Sequence, residues 1–331
     1  MKRLLLKTLI ASLSLAAAFA ATAQERGIRF ATQNPKGHPI TLGMERFAEI
    51  VAAKSGGKLK INLFPGGVLG GDAQNVSALQ GGTIDMVVLN AGILASQVKD
   101  FEVFDFPFMF ASPQEADAVV DGPFGRMMFD KLGAKGIQGI AYWELGFRQI
   151  TNSRRPITKV DDIAGLKLRV IPNAINVDWV NALGANPTPM AFPEVYPGLE
   201  QKAIDGQENP LTVINANKFY EVQKHVALTN HQYNPQAVIV SKKLWDVLGE
   251  AEKKVLVDAA LEAGSYQRKT SREMMGSALD NMKKNGMQVT EFSPAEQAKL
   301  RDKLRPVIDR HGGAIADTVK ALQAELDKAR K

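Results

Sequence analysis

The side chains able to do covalent chemistry are few. Cysteine is absent, and the only imidazoles are His38, His225, His231 and His311. Without a thiol there is no cysteine nucleophile and no thiolate metal ligand. No His-Glu-x-x-His occurs, so the two-histidine helical zinc site is missing. There is no Gly-x-Ser-x-Gly elbow. Ser96-Gln97-Val98-Lys99 fits Ser-x-x-Lys, but its companions Ser-Asp-Asn and Lys-Thr-Gly are missing. Gly66-Gly67-Val68-Leu69-Gly70-Gly71 is not followed by Gly-Lys-Ser/Thr and lacks the dinucleotide spacing, so it reads as a flexible loop leading into a helix near Asp72. The chain is read as a non-enzyme. A secreted enzyme acting on a carboxylate, the rival class, would need an acid–base pair such as Glu144 with Asp72.

What remains is chemistry of recognition: polar side chains at the ends of apolar segments. Thr32-Gln33-Asn34 follows one such segment and Asn90 another, Glu144 and Arg148 flank a turn, and Asn209 follows Asp205-Gly206-Gln207-Glu208. Arg169 is the most informative. In Leu166-Lys167-Leu168-Arg169-Val170-Ile171, strand alternation sets it on a face opposite Leu166, Leu168 and Val170. A guanidinium on a partly buried face demands an anion, and its planar fork matches a carboxylate. That anion is either a ligand or an internal partner such as Asp161, Asp162 or Glu194.

Elements that could position these groups alternate along the chain. Strands are expected at 27–32, 58–64, 84–89, 137–143, 166–171, 225–229 and 237–240. A helix over 39–53 puts Leu42, Phe47, Ile50 and Val51 on one face. Ser112-Pro113-Gln114-Glu115 and Ser293-Pro294-Ala295-Glu296 read as capping boxes with proline in the first helical position. No proline interrupts Glu250 to Asn285. One helix there would be roughly 50 Å long at about 1.5 Å per residue, while two helices broken at Gly264 or Gly276 fit the pattern as well. The alternation argues for an α/β fold with binding crevices at strand ends.

Length and composition agree. The 331 residues, 45% hydrophobic and 23% charged, can fill two domains and exclude disordered, collagenous and disulfide-scaffold chains. Lys2, Arg3 and Lys7 precede an apolar run from Thr8 to Ala20, and Ala21-Thr22-Ala23 fits a cleavage site, so residues 1–23 read as a secretory signal peptide. Removing those three cations from 41 Lys+Arg leaves 38 against 35 Asp+Glu. A balance of +3 is no polyanion-binding surface, and nucleic acid is not an expected partner. No later segment approaches the roughly 20 apolar residues of a membrane helix. An exported, periplasmic protein is expected.

Two long stretches carry a family likeness: Gly146-Phe147-Arg148-Gln149-Ile150-Thr151-Asn152-Ser153-Arg154-Arg155-Pro156-Ile157 and Asp162-Ile163-Ala164-Gly165-Leu166-Lys167-Leu168-Arg169-Val170-Ile171-Pro172-Asn173. With Leu69-Gly70-Gly71-Asp72, Gln80-Gly81-Gly82-Thr83-Ile84-Asp85-Met86 and Asp205-Gly206-Gln207-Glu208-Asn209-Pro210, the chain resembles the DctP-type solute-binding proteins of TRAP (tripartite ATP-independent periplasmic) transporters. The resemblance implies a hinged, two-domain periplasmic binding protein with one long helix spanning both domains. Domain I would hold 26–146 plus 235–273, and domain II 147–234 plus 274–328. It implies a cleft ligand whose carboxylate bonds to Arg169, with Arg148 and Asn209 also in contact. Asp72, Gln33, Asn34, Asn90, Asn173 and Glu144 follow as further contacts; Phe192 and Trp179 read by default as core.

The implied ligand is a small organic acid handed to the small and large membrane subunits of a TRAP permease, with no cofactor or metal. So many amide and carboxyl groups suit a hydroxylated acid such as D-glucuronate or D-galacturonate. A C4-dicarboxylate, a hydroxy or keto acid, an aromatic acid, or a sensory rather than a transport role are the alternatives.

Overall fold

The computed structural model describes residues 25–331; the expected signal peptide 1–23 lies outside them. Ten strands are present among these residues: β1 (Arg26–Ala31), β2 (Leu59–Phe64), β3 (Met86–Asn90), β4 (Ile137–Asn152), β5 (Lys167–Val170), β6 (Asn186–Pro189), β7 (Gly206–Pro210), β8 (His225–Leu228), β9 (Tyr233–Ser241) and β10 (Gln288–Glu291). They run in the order β2-β1-β3-β9-β4-β7-β5-β6, with β8 beside β4 and β10 beside β8. β1 is parallel to β2 and β3, β5 is parallel to β6 and β7, and β9 is antiparallel to both β3 and β4.

The 16-residue β4 is the pivot of this arrangement. From Ile137 to Phe147 it pairs with β9; from Arg148 to Asn152 it pairs with β7 and, near its end, with β8. A register shift between Glu144 and Gly146 marks a bulge just before the exchange, a device that bends a strand and re-aims its side chains. The expected strand 137–143 is thus the first half of a longer one.

Burial explains most elements. In β1, Ile28 and Phe30 are fully buried, with Phe30 edge-on to Phe47 at 5.4 Å and to Trp143 at 6.2 Å between ring centroids. The helix Pro39–Ser55 buries Phe47, Ile50 and Val51, while Leu42 is half-buried. His38 caps it, its Nδ1 accepting from Ile40 N at 3.1 Å. β3 and β9 are buried on both faces, as interior strands of an α/β sheet should be.

The helix Glu250–Lys284 is continuous over 35 residues. Gly264 does not break it; a Cβ there would lie 2.9 Å from the Trp143 indole, so glycine is what lets the helix press onto β4. Trp143 Nε1 donates to Ala260 O at 2.9 Å, and the Gln267 amide bonds both the N–H and the C=O of Glu144. Further along, Asn281 bonds Asn215 of the helix Leu211–Ala216, and Met282 enters a separate core with Val195, Ile214 and Phe219. One helix therefore braces both halves of the fold.

The two expected capping boxes form only by half. Ser112 and Ser293 accept from Glu115 N and Glu296 N. Their glutamates do not turn back onto the serine: Glu115 accepts from Ala111 N and pairs with Arg330, and Glu296 accepts from Val160 N. Tertiary partners outcompeted the local one. No helix among the described residues is long and apolar enough to cross a membrane.

Candidate functional site

A cavity of about 210 Å³ opens where the ends of β1 and β3 meet β5, β7 and the point at which β4 changes partners. Thr32, Gln33 and Asn34 enter from the end of β1, and Val88, Leu89 and Asn90 from β3. Asp72 enters from the first turn of the helix Asp72–Gly81. The opposite wall carries Arg169, Ile171 and Pro172 with Asn209 of β7, while Leu145 and Arg148 of β4 stand between the two. Asn90 of β3 pairs in register with Gln236 of β9, which brings that second amide into the lining.

Arg169 is 3% exposed and makes no ion pair among the described residues. The expected alternatives Asp161, Asp162 and Glu194 do not hold it. Instead Nε and Nη2 both donate to Met190 O, at 2.9 and 2.8 Å, and the guanidinium carbon sits 5.7 Å from the Phe192 ring centroid. Those contacts fix the plane of the fork and leave Nη1 without an acceptor among the described residues. Burial lowers the Arg169 pKa to about 10, while the charges of Glu208 and Asp72 oppose that fall. The group stays cationic at neutral pH, and an unpaired buried cation is costly until an anion arrives.

Arg148 is different. It lies in the lining but is fully buried and already neutralised. Glu208 accepts from its Nε, and Glu208 Oε1 from its Nη2 at 2.7 Å, while Asn234 Oδ1 accepts from Nη1 at 2.8 Å. Burial alone would raise the Glu208 carboxyl; Arg148 and the neighbouring His231 pull it down to about 2. The Glu208 carboxylate is thereby committed to Arg148.

Asp72 carries the other unusual carboxyl. Burial pushes its pKa up to about 7, against the pull of the Arg169 charge and the Gln33 amide. Asp72 Oδ1 and Gln33 Oε1 are both buried without a hydrogen-bond partner among the described residues. These are two acceptors facing a site that contains one uncompensated cation.

A family model described as bacterial extracellular solute-binding protein, family 7 (DctP), matches residues 30–313. The chain belongs to this family. Among solved structures, it is 54% identical to a TRAP periplasmic solute-binding protein from Ochrobactrum anthropi whose C-terminus is bound in its ligand-binding pocket. That match has a TM-score of 0.83 and covers 93% of this chain and 97% of the other. The sugar acid binding protein DctPAm of Advenella mimigardefordensis, in complex with galactonate, is 42% identical with a TM-score of 0.90, over 92% and 99% of the two chains. The C4-dicarboxylate-binding periplasmic protein DctP of Rhodobacter capsulatus is 36% identical, over 95% of each chain. Proteins of family 7 are solute-binding proteins, not enzymes.

Within this family 7 protein, two of the expected contacts lie elsewhere. Glu144 points away from the cavity: its Oε2 accepts from Arg272 Nε at 2.9 Å and Nη2 at 2.6 Å, and from Tyr233 OH at 3.0 Å. Ordinary strand alternation sets its neighbour Leu145 beside the cavity and Glu144 on the opposite face. The acid–base pair of Glu144 with Asp72 is therefore not formed. Asn173 is also withheld, its Nδ2 donating to Gly92 O at 3.1 Å and to Asp105 Oδ2 at 3.0 Å. Gln33, Asn34, Asp72, Asn90, Arg148, Arg169 and Asn209 do share the cavity. Trp179 is core, but Phe192 lines the site beneath Arg169. Gln236 also lines the cavity, and the polar Tyr233-Asn234-Pro235-Gln236 leading into Ala237-Val238-Ile239-Val240 is the same strand-end signal that marks Asn90.

Proposed function

We propose that the protein captures a hydroxylated organic acid with one carboxylate, a sugar acid such as D-glucuronate or D-galacturonate, and delivers it to the small and large membrane subunits of a TRAP permease. The observation that carries the reading is Arg169: buried, clamped in its plane by Met190 O, and lacking an anion at Nη1. A ligand carboxylate there completes the fork with charge-assisted bonds, each contributing roughly 1.5–3 kcal/mol.

The rest of the lining favours hydroxyls. Gln33, Asn34, Asn209 and Gln236 contribute amides, the Asn90 amide being engaged by Asp105 and Gly92, and among the described residues Gln33 Oε1 and Asp72 Oδ1 lack donors. The relative at 42% identity is described with galactonate, a sugar acid. A C4-dicarboxylate, the ligand named for the Rhodobacter relative, would bring a second carboxylate. Arg148 is occupied by Glu208 and offers it little.

Capture would proceed by closure of 26–146 plus 235–273 onto 147–234 plus 274–328. The partner exchange of β4 between Phe147 and Arg148 supports a hinge there. Closure is favoured to the extent that the ligand binds the closed form better. The protein would work in the periplasm after loss of residues 1–23. A thermal-shift screen with D-glucuronate, D-galacturonate, succinate and benzoate tests the ligand class. Acid at about 100 times its Kd should stabilise by roughly 2.7 kcal/mol; stabilisation by succinate and none by either hexuronate would refute the sugar-acid reading.

A further inference from the structure

Behind the cavity, and outside its lining, Asp105 is completely buried and accepts four side-chain amides. Asn90 Nδ2 and Asn234 Nδ2 donate to Oδ1, at 3.1 and 3.0 Å; Asn173 Nδ2 and Asn176 Nδ2 donate to Oδ2, at 3.0 and 2.9 Å. The four donors come from two sides. Asn90 ends β3 and lines the cavity. Asn173 and Asn176 open the helix Ala174–Ala182, directly after Ile171 and Pro172, which line the other wall.

The two walls are also bridged without the acid, because Asn173 Nδ2 reaches Gly92 O, one residue before the lining residue Ile93. Gly92 packs so tightly on Asp105 that a Cβ would fall 2.3 Å from its carboxyl carbon. Only an ionised carboxylate is acceptor at every lone pair. An asparagine in its place would turn an N–H against a pair of donors.

Resting on the carboxylate-binding reading, we infer that Asp105 is a positioning residue: it couples the Asn90–Ile93 wall to the Ile171–Pro172 wall and so sets the spacing at which a ligand held by Arg169 is enclosed. No contact between Asp105 and ligand is involved. The coupling explains why Asn173 is withheld from the cavity.

The test uses Asp105→Asn, Asn173→Ala and Gly92→Ala, with D-galacturonate as the kinetic probe and hydrogen exchange as a ligand-free readout. Asn173→Ala should fold normally, since it removes one peripheral donor. Its dissociation rate for D-galacturonate should rise about ten-fold with an association rate near wild type. Without ligand, exchange should speed up at residues 90–94 as well as at 171–176, and Gly92→Ala should produce the reciprocal effect. Asp105→Asn should loosen both segments together. Exchange in Asn173→Ala confined to 171–176, or an unchanged dissociation rate, would overturn the coupling. If the wild type binds no sugar acid, the proposed ligand fails, while the exchange result still decides for or against Asp105.

Discussion

Asp72 offers a perturbation whose sign and size follow from its burial. An aspartate ordinarily titrates near 3.8, and in the fold this one is pushed up to about 7. Below about pH 4 the carboxyl is protonated in both folded and unfolded chains and contributes no pH dependence. Between about 4 and 7 the unfolded chain has released its proton while the folded chain retains it, so stability falls as pH rises. Above about 7 both are ionised and the loss is complete. At about 1.4 kcal/mol per pH unit, the full span is on the order of 4 kcal/mol. Asp72→Asn removes the titration and preserves the shape.

Other buried groups slope the opposite way. His38 is lowered to about 3 by burial, and Glu208 is held near 2 by Arg148 and His231 despite its burial. Both therefore cost stability as the pH falls. The informative quantity is thus the difference between wild type and Asp72→Asn, measured by urea unfolding of ligand-free protein from pH 4 to 8. The variant should gain on the wild type by several kcal/mol across that range. A difference that stays flat would refute the claim that Asp72 is buried without adequate compensation.

Two further outcomes follow from the ion pairs. Arg148→Met should destabilise strongly, by about 3–5 kcal/mol, because Glu208 is left charged in the interior, and the double variant Arg148→Met/Glu208→Met should recover much of the loss; additive losses in urea titrations would contradict the pairing. Arg272→Met should lower the melting temperature by stripping Glu144 of its cationic partner and leaving Asp117 with Arg268 alone, yet leave ligand affinity within about two-fold. An affinity loss there as large as that from losing Arg169 would put Glu144 back among the ligand contacts.

How much of this was legible in the chain depends on where each residue finds its partner. Period-2 alternation set Arg169 opposite Leu168 and Val170, and in the structure both faces of that strand are buried. The long helix was ambiguous because Gly264 reads locally as a break; only the Trp143 ring, far away in sequence, shows it to be a packing position. β7, Gly-Gln-Glu-Asn-Pro, carries no hydrophobic signal yet is wholly buried. It is stabilised instead by Glu208 with Arg148 and Gln207 with Thr151, pairs almost 60 residues apart. The orientation of Glu144 is not legible locally, because its partners Tyr233 and Arg272 lie 89 and 128 residues away. The engagement of Asn173 is equally hidden, because its acceptor Asp105 lies 68 residues away in a segment whose sequence announces nothing.

The account depends most heavily on Arg169, and calorimetry of Arg169→Ala with the acid that wild type binds most tightly tests it most directly. Losing two charge-assisted bonds at roughly 1.5–3 kcal/mol each should weaken binding by about a hundred-fold or more, with the melting temperature of the unliganded protein preserved. An affinity equal to wild type would contradict it.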